Sequence, residues 1–600
     1  MFLKNIIMLF FFLSFCFAQE FTIYPYLQNS SPNSIVIMWE SSMYGNSVVE
    51  WGETELLGNV NSSTYEITYY PACLFTAEIS NLKANTRYYY RVKNNNINTS
   101  VYSFITPSLP NDEASTTLVA MSDMQKDYNN PEKFKEINNA IINYFQDDSS
   151  SLFNKNLDLV LIPGDLVKTG NNYDHWKDHF FYQSRQLFSH VPFYPVLGNH
   201  EENSNFYFQY INLPFNGTKG FEEHWWYKDY SNVRIIGLNS NSEYQIEDQI
   251  NWLDSILELT IYNNNIDFLF AQLHHPHNSE LWTPGNTNFT GEIISLLEDF
   301  TSRSGKPSIH FYGHTHGYSR GESKNHQHLM VNVASAGGAI DYWDEWPQND
   351  YDEYSISQDE WGYVVVDVNA GDNPSFILKR LSLGDESNSK FNSLEDSIVV
   401  RLYNTSPDTP TCIYPSSDDS VDVNNLFFKS SHFNDLEDEH GGTQWQISHN
   451  CLDFSDPIID KWIQSQNIYR DINLNSNINL INHKLIGLQA NSNYCWRVRY
   501  RDKGLKWSQW SNPMSFNTNN KSLLINVIPN PINDKSLVTI PYLDNSIIKI
   551  YNIEGKVVQE IPNQNKSLFI LNKSNFDSGV YILKLFQRGQ CITQTKFTVL

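Results

Sequence analysis

Cysteine and positive charge are both scarce in this sequence. Six of its 600 residues are cysteine, and no two of them form a C-x-x-C pair, so the sequence offers no cysteine-pair zinc site. Lysine and arginine total 41 against 67 acidic residues, which gives a formal net charge of −26 at pH 7. This balance argues against nucleic-acid backbones and anionic membrane surfaces as main partners, because both are themselves negatively charged.

Long apolar runs are also missing, apart from one at the N-terminus. Residues 1–18 place Lys4 before an apolar run that ends in small residues, which is typical of a secretory signal peptide and too short for a membrane-spanning helix. Cys16 raises a lipoprotein alternative, which the bulky Phe15 before it disfavours. We expect an exported protein, secreted or at the cell surface, without a transmembrane segment.

The pattern of polar and apolar residues in the remaining chain changes three times. Residues 19–107 alternate polar and apolar residues in short runs, which indicates a small antiparallel β-sandwich. Residues 112–385 alternate strand-like runs with helical periods, which predicts a layered α/β domain. Short strands return in residues 406–519, and residues 522–600 form a last small β unit. Because export permits disulfide bonds, we expect one bridge among Cys412, Cys451 and Cys495, although the sequence does not choose the pair.

Five strand-like runs of the α/β domain each end in polar side chains. These side chains are Asp123 and Gln125; Asp165; Asn199 and His200; His274, His275 and His277; and His314 and His316. In open α/β sheets, binding sites lie beyond the carboxyl ends of the strands. Carboxylate, amide and imidazole groups together suit divalent Zn, Mn, Fe or Co. The set therefore predicts one polynuclear metal site.

Each motif alone is weak evidence for a metal site, because a glycine–aspartate pair is usually a turn and a single histidine is usually structural. The G-H-T-H run is stronger, because residues i and i+2 of an extended chain project to the same side. Glycines before Asp165, Asn199 and His314 would let the backbone turn sharply and approach an ion. The alternative is five unrelated strand-end turns, which the ordered set within one domain argues against.

The order D-x-[HQ], GD, GNHE, HxP, GHxH resembles the calcineurin-like metallophosphoesterases. With "PYLQNSSPNSIVIMWE", "QIEDQINWLDSIL" and "GHTHGYSR", residues 21–370 resemble the purple acid phosphatases more narrowly. The resemblance implies a multidomain fold: a central α/β metallophosphoesterase domain, layered as a β-sandwich flanked by helices, between fibronectin type III-like sandwiches at 19–107 and 406–519, with a small C-terminal β domain.

The resemblance also implies a role for each motif residue. Asp165 would bridge two metals. The first metal would be held by Asp123 and His316, and the second by Asn199, His274 and His314. His200 would face the phosphate as the general acid, while His275 and His277 are candidates for touching substrate, with a structural role as the alternative for each.

Two positions depart from the family pattern. Purple acid phosphatases carry a tyrosinate ligand where this chain has Lys168, and most other metallophosphoesterases carry a histidine where it has Gln125. The neutral amide oxygen of Gln125 would fill that corner as a ligand, or Gln125 would only hydrogen-bond a ligand. With Asp123 and Asp165 as the only anionic ligands, we expect two divalent ions and a colourless protein.

The function that the resemblance favours is an exported acid-phosphatase-like phosphomonoesterase, which uses a hydroxide held between the two metals to attack a small phosphorylated substrate. A phosphodiesterase or nucleotide hydrolase of the same fold is the first alternative. A non-catalytic surface binding protein with a degenerate metal site is the second. Residues 522–600, with "VIPNPINDKS" and "SGVYILKL", resemble the C-terminal sorting domain of type IX secretion in Bacteroidota, which implies the type IX secretion machinery as a partner.

Overall fold

A computed structural model describes residues 20–110, 112–146, 157–417, 419–423, 426–519, 524–541, 546–563, 568–587 and 589–600. The predicted signal peptide, with Cys16, lies outside the described residues. No helix within these ranges is long and apolar enough to span a membrane.

Two antiparallel sheets open the described chain. Their strands are β1 (Phe21–Ser31), β2 (Ser34–Ser41), β3 (Ser47–Gly52), β4 (Asn59–Ser62), β5 (Thr64–Tyr69), β6 (Ala72–Ser80), β7 (Arg87–Asn94), β8 (Ile97–Asn98) and β9 (Tyr102–Ile105). One sheet has the order β1-β2-β6-β5 and the other β4-β3-β7-β8, with β9 paired to β7. Alternate residues of β2, such as Ile35, Ile37 and Trp39, are fully buried in the core of this sandwich, because successive side chains of a strand point to opposite faces.

A buried carboxylate joins this sandwich to the following domain. Glu40 accepts hydrogen bonds from the hydroxyls of Thr22 at 2.7 Å, Tyr173 at 2.5 Å and Tyr210 at 2.8 Å. Since Tyr173 and Tyr210 belong to the central domain, the two units share one satisfied polar contact at their interface.

Two facing sheets form the central domain. Its strands are β10 (Thr116–Ala120), β11 (Leu159–Ile162), β12 (Phe193–Pro195), β13 (Trp226–Tyr230), β14 (Val233–Gly237), β15 (Phe268–Gln272), β16 (Ser308–Tyr312), β17 (Tyr318–Glu322), β18 (His328–Asn332), β19 (Tyr354–Gln358), β20 (Trp361–Asn369), β21 (Ser375–Gly384) and β22 (Ser389–Arg401). One sheet has the order β12-β11-β10-β20-β21-β22, and the other begins β13-β14-β15-β16-β18-β17-β19. Side chains of both sheets, including Val119, Leu161, Phe270 and Ile309, share one core.

Helices cover this layered sandwich on its outer sides. They are α1 (Lys133–Phe145), a π-helix (His175–Phe181), α2 (Tyr182–Phe188), α3 (Asn205–Tyr210), α4 (Glu247–Ile261) and α5 (Asn288–Ser304). Helix α5 has apolar residues at helical spacing, such as Ile293, Leu297 and Phe300, that pack with Leu253 and Leu257 of α4 in one core cluster. The predicted multidomain fold with a central layered α/β domain is confirmed.

Short strands return after the central domain. They are β23 (Cys412–Tyr414), β24 (Ser420–Asp422), β25 (Phe427–Ser430), β26 (His440–Ser448), β27 (Ile459–Gln464), β28 (Ile468–Tyr469), β29 (Ile472–Asn473), β30 (Asn482–Lys484), β31 (Asn493–Asp502) and β32 (Met514–Asn519). A disulfide joins Cys451 to Cys495, while Cys412 is free. Most of these strands form sheets β23-β25-β30 and β24-β32-β31-β26-β27.

Strands β28 and β29 instead extend the nine-stranded sheet of the central domain. Ile468 pairs in parallel with Ile356 of β19. Nearby, the buried Arg501 donates to the carbonyl oxygens of Ser323 at 2.8 Å and His326 at 3.1 Å. The middle unit is therefore docked on the central domain through backbone pairing and a satisfied buried cation.

Two small antiparallel sheets close the chain. Their strands are β33 (Asn526–Ile528), β34 (Lys535–Thr539), β35 (Ser546–Asn552), β36 (Val557–Asn563), β37 (Leu568–Asn572), β38 (Gly579–Gln587) and β39 (Gln590–Val599). Their orders are β33-β34-β37 and β36-β35-β38-β39, and their buried faces share a separate core that includes Ile550 and Leu583.

Candidate metal centre

Parallel strands bring the predicted ligands to one edge of the central domain. Strands β10, β11 and β12 pair in parallel, so the segments carrying Asp123, Asp165 and Asn199 leave the same edge of one sheet. Strands β15 and β16 pair in parallel in the facing sheet and lead to His274 and His314. This is the convergence that the strand-end motifs predict.

The backbone turns sharply where three of these residues stand. Asp123, Asp165 and His314 have positive φ values of 62°, 55° and 72°. Such a conformation costs a non-glycine residue roughly 1–3 kcal/mol and persists mainly at functional sites. The adjacent glycines are needed for space: a Cβ added at Gly198 would lie 2.1 Å from Asp165 Oδ1, and one at Gly313 would lie 2.4 Å from Asp123 Oδ2.

Asp165 lies at the middle of the cluster. Its Oδ2 is 3.3 Å from His274 Nε2 and 3.9 Å from His200 Nε2, and it accepts a hydrogen bond of 2.6 Å from Gln125 Nε2. Donor atoms of Asp123, Asp165 and His274 all lie within 4.8 Å of one another, and all three residues are buried. A carboxylate in this position can contact ions on both sides.

A second group of donors overlaps the first. Donor atoms of His274, His275 and His314 also lie within 4.8 Å of one another. Asn199 Oδ1 is 3.0 Å from His274 Nε2, and His316 Nε2 is 3.3 Å from Asp123 Oδ1. The structure therefore brings together all six residues for which the resemblance implies metal ligation.

Carbonyl oxygens orient two of the imidazoles. His274 Nδ1 lies 2.9 Å from the Pro163 carbonyl, and His316 Nδ1 lies 2.5 Å from the Ala339 carbonyl. An Nδ1–H that donates to a carbonyl fixes the ring and leaves Nε2 as the free donor atom, which is the usual arrangement of a metal-binding histidine.

The charges at the site favour a bound cation. Burial lowers the pKa of His274 and of His316, but the carboxylates of Asp165 and Asp123 outweigh burial and raise the two pKa values to about 9 and about 10. Burial raises the pKa of Asp123, but the hydrogen bond from His316 and the charge of His274 hold it below its ordinary value. Two buried carboxylates are thus balanced by protonated imidazoles, whose protons a metal cation would replace.

Gln125 supplies the test of whether the residues fit a metal. Its Nε2 donates to Asp165, while its buried Oε1 has no hydrogen-bond partner among the described residues. A buried amide oxygen without a partner is unfavourable unless a ligand outside the protein occupies its lone pairs. Together with the Asp, Asn and His donors, this oxygen fits a divalent cation.

His200 stands at the rim of the cluster. Its Nδ1 is 2.7 Å from the Lys168 carbonyl, and its side chain is 37% exposed, in contrast to the buried His274. The ring therefore presents Nε2 toward Asp165 and solvent at the same time.

The structure separates the other two histidines of the tract. The ring of His275 lies 4.4 Å from that of His314, with Nδ1 2.9 Å from Ser240 Oγ, and burial with the charge of His274 lowers its pKa to about 3. His277 instead has Nδ1 3.1 Å from the Thr287 carbonyl. The substrate contact stays a prediction for both His275 and His277.

Glu201 has a role that the sequence did not reveal. Its buried carboxylate accepts backbone hydrogen bonds from Gly198 at 2.7 Å, Asp165 at 2.9 Å and Leu166 at 2.8 Å. Burial and the charge of Asp165 raise its pKa to about 8, yet both oxygens accept N–H groups, which is the pattern of an ionised carboxylate. Glu201 ties the loop of Asp165 to that of Asn199. Its place in the G-N-H-E motif was the available signal.

Three family models match the chain. Residues 22–106 match purple acid phosphatase, N-terminal domain; residues 116–318 match calcineurin-like phosphoesterase; and residues 526–599 match secretion system C-terminal sorting domain. The chain contains these three domains in this order, so the resemblance seen in the motifs is confirmed. A sorting domain of this kind indicates export.

One solved structure supports this fold. Purple acid phosphatase PPD1 from yellow lupin (Lupinus luteus) seeds superposes with a TM-score of 0.50 at 18% identity, covering 63% of this chain and 74% of that one. A structure of PhoD gives a TM-score of 0.47 at 11% identity, covering 64% and 90%. Among curated proteins, ulvan lyase NLR42 of Nonlabens ulvanivorans is 30% identical over 98 residues. The aligned segment covers 16% of this chain and 18% of that relative.

Proposed function

We propose that this chain is an exported phosphoester hydrolase that uses two divalent metal ions and acts on phosphomonoesters. The observation that carries the proposal is the convergence of Asp123, Asp165, Asn199 and the three histidines at the strand ends of a calcineurin-like phosphoesterase domain. A scaffold role alone would not require the strained turns and the unpartnered amide oxygen of Gln125.

Two ions have donors available on either side of Asp165. Asp123, His316 and Gln125 would hold the first, and Asn199, His274 and His314 the second, with Asp165 shared. When bound, such ions supply Lewis-acid chemistry: they neutralise the charge of a phosphate and activate water at neutral pH. Because Asp123 and Asp165 are the only carboxylates among these donors, we propose divalent ions, and a strong visible charge-transfer band in the metal-loaded protein would contradict this.

Glu201, His200 and His275 assist the proposed reaction without belonging to the proposed donor set. Glu201 fixes the two loops through backbone hydrogen bonds, so the donor groups stand in place before substrate binds. His200, held through Nδ1 by the Lys168 carbonyl, presents Nε2 toward the substrate side and donates a proton to the departing oxygen. The half-buried His275 stays neutral and lies beside His314, where it can donate a hydrogen bond to a phosphate oxygen.

The first experiment separates enzyme from scaffold. Purified protein should bind close to two equivalents of Zn, Mn or Fe by elemental analysis and hydrolyse p-nitrophenyl phosphate. Asp165→Asn should lose most metal and most activity together, whereas Asp174→Asn, at an exposed position of the same segment, should keep both. A wild-type protein that binds metal but hydrolyses neither monoesters nor diesters would overturn the proposal, and a preference for bis(p-nitrophenyl) phosphate would place it among diesterases.

The role of His200 is tested by the leaving group. His200→Ala should lower kcat/KM for an alkyl phosphate, whose departing alkoxide needs a proton, much more than for p-nitrophenyl phosphate, whose phenolate leaves unaided. Equal losses on the two substrates would contradict the acid role.

Export is proposed to end with removal of the C-terminal domain by type IX secretion and with release or attachment at the cell surface. The match of residues 526–599 supports this. Mass spectrometry of the extracellular protein should find no peptides from that range, and their presence would contradict it.

A further inference from the structure

Two tryptophans lie in contact beside the metal centre. The ring of Trp282 is 5.1 Å from that of His314, and the ring of Trp346 is 6.4 Å from that of Trp282. Because His314 belongs to the proposed donor set, two successive ring contacts lead outward from the metal centre. We refer to Trp282 and Trp346 as the tryptophan pair.

The outer member of the tryptophan pair is open to solvent. Trp346 is 46% exposed, and Trp282 is half-buried. A single exposed apolar side chain is ordinary on a protein surface. An exposed indole that packs on a second indole, which itself contacts a residue of the metal centre, instead offers accessible aromatic surface within reach of a bound substrate.

The segment that carries the exposed tryptophan, residues 341–347, is fixed on both sides of the metal centre. At one end, Asp341 Oδ2 accepts from the backbone N–H of His316 at 2.7 Å, and the backbone N–H of Asp341 donates to the carbonyl of His316 at 2.9 Å. At the other end, the carbonyl of Pro347 accepts from the backbone N–H of Thr283 at 3.0 Å and from its hydroxyl at 3.2 Å. The segment therefore holds its aromatic side chain in place relative to the metal centre.

Gly285 supports the inner member of the tryptophan pair. A Cβ added at Gly285 would lie 2.9 Å from Trp282 Cε3 and 3.0 Å from His314 Cδ2. The buried backbone of Gly285 thus packs against both rings and fixes their relative position. Because the pair is already in place, a ligand that binds to it pays little for ordering the side chains.

The same segment and its continuation carry negative charge. Residues 341–353 contain six acidic residues and no lysine or arginine. Arg470 pairs with Asp344 at 2.8 Å and Lys461 pairs with Asp352 at 3.0 Å, but in the described part of the chain no lysine or arginine pairs with the other four. These four are Asp341, Glu345, Asp350 and Glu353. A leaving group with further negative charge would be repelled here.

The angle between the two indoles suits a planar ring. Their planes are inclined by 61°, so a ring that stacks on one indole is steeply inclined to the other. Stacked and edge-to-face contacts are the two arrangements that aromatic rings prefer, and a planar ligand ring can make one of each with the pair. A saturated ring of the same size has no π-system and makes neither, although it is no less apolar.

We propose that the tryptophan pair binds the leaving group of the substrate and selects leaving groups that carry a flat, uncharged aromatic ring. This rests on the proposed phosphomonoesterase function and makes it more specific: the phosphate lies at the metal centre, and the ring of the same molecule lies against Trp346 and Trp282. The acidic residues of the segment 341–353 disfavour rings that carry a carboxylate or a second phosphate.

A matched substrate series tests this. For the metal-loaded wild-type protein, kcat/KM is compared between 2-phenylethyl phosphate and 2-cyclohexylethyl phosphate, which have similar alkoxide leaving groups and differ in the flatness of the ring. We expect the phenyl compound to be favoured about three- to tenfold, the size of one good aromatic contact, and a carboxylate at its para position to remove that advantage. No preference for the phenyl compound would overturn the proposal, because a merely apolar surface favours the larger saturated ring, and so would an equal preference for the carboxylated ring.

Three variants test whether the preference depends on Trp346. Trp346→Leu keeps an apolar side chain without a π-system and should abolish the preference, whereas Trp346→Phe should keep most of it. Tyr262→Leu removes an aromatic side chain that is 77% exposed at the end of α4, and it should leave the preference unchanged. A preference that Trp346→Leu retains, or an equal fall in Tyr262→Leu, would refute the role of the tryptophan pair.

Binding without turnover keeps this test independent of catalysis. Calorimetry with the metal-loaded protein compares 3-phenylpropylphosphonate with 3-cyclohexylpropylphosphonate, neither of which carries a hydrolysable ester. Tighter binding of the phenyl compound that Trp346→Leu loses would support the tryptophan pair even if no ester is hydrolysed and the hydrolase proposal fails. Equal binding of the two phosphonates would refute it even in an active enzyme.

Discussion

Replacing Glu201 by glutamine should weaken the backbone hydrogen bonds that hold the loops of Asp165 and Asn199 together, and should change little elsewhere in the structure. In the folded chain, Oε2 accepts from the backbone N–H groups of Gly198 and Asp165, and Oε1 accepts from that of Leu166. A glutamine amide can accept at one end only, so whichever way it lies, one or two buried N–H groups face an NH2 group. At about 1–3 kcal/mol for each donor left unsatisfied, Glu201→Gln should cost about 2–4 kcal/mol, and Glu201→Ala more.

Two measurements follow from this cost. The thermal unfolding transition of the metal-loaded protein should shift down, and elemental analysis should show less than half of the wild-type metal content, because the loops of Asp165 and Asn199 are no longer tied together. Glu202→Gln is the matched control: Glu202 is exposed and accepts from Asn171 Nδ2 at 3.0 Å, so its loss should cost under about 0.5 kcal/mol. Wild-type melting and metal content in Glu201→Gln would refute the reasoning.

Three further changes probe other parts of the chain. Gln125→Leu should weaken metal binding about 10- to 100-fold in a calorimetric titration, because both a donor oxygen and a hydrogen bond to Asp165 are lost; an unchanged affinity would leave Gln125 without a role. Burial raises the pKa of Glu280 to about 8 from an ordinary value of 4.5. The folded state therefore keeps a proton that the unfolded chain loses, and stability falls as pH rises from 4.5 to 8. Glu280→Gln should melt higher than wild type at pH 9 but not at pH 4, and a pH-independent difference would contradict this. Arg501→Met removes the donor to the Ser323 and His326 carbonyl oxygens and should cost about 1–3 kcal/mol, although Glu322 keeps its ion pair with Arg320. The loss should be seen as earlier release of the middle unit in limited proteolysis; wild-type resistance would argue against a docked unit.

The position of the metal centre was predictable because its determinants are local. The fully buried apolar run of β11 is followed by Pro163 and then by Gly164 and Asp165, and buried runs of this kind suit parallel strands. Parallel neighbours end at the same edge, so the sequence order of Asp165, Asn199 and His314 was enough to place them together. The members of the cluster could be named from the residues at the strand ends, without knowledge of their side-chain contacts.

The remaining features depend on directions that the sequence does not encode locally. Nothing in the tract of three histidines says that His275 faces His314 while His277 faces the Thr287 carbonyl. Two partners of Glu201, the backbone N–H groups of Asp165 and Leu166, lie 36 and 35 residues away, and a backbone donor has no sequence signature. Strand β28 is two residues long and has no measurable periodicity, so its pairing with Ile356 is visible only in the fold.

The unusual corner of the metal site follows from two positions in the chain, Gln125 and Lys168. The resemblance to purple acid phosphatases places an anionic tyrosinate where this chain has Lys168, so a negative ligand is exchanged for a positive side chain. That exchange removes the ligand best suited to a ferric ion. Gln125 stands where most other metallophosphoesterases carry a histidine, and its neutral amide adds no charge to the site. Lys168→Tyr should therefore favour a ferric, visibly coloured site. A Lys168→Tyr protein that stays colourless after loading with iron would show that this position does not choose the metal.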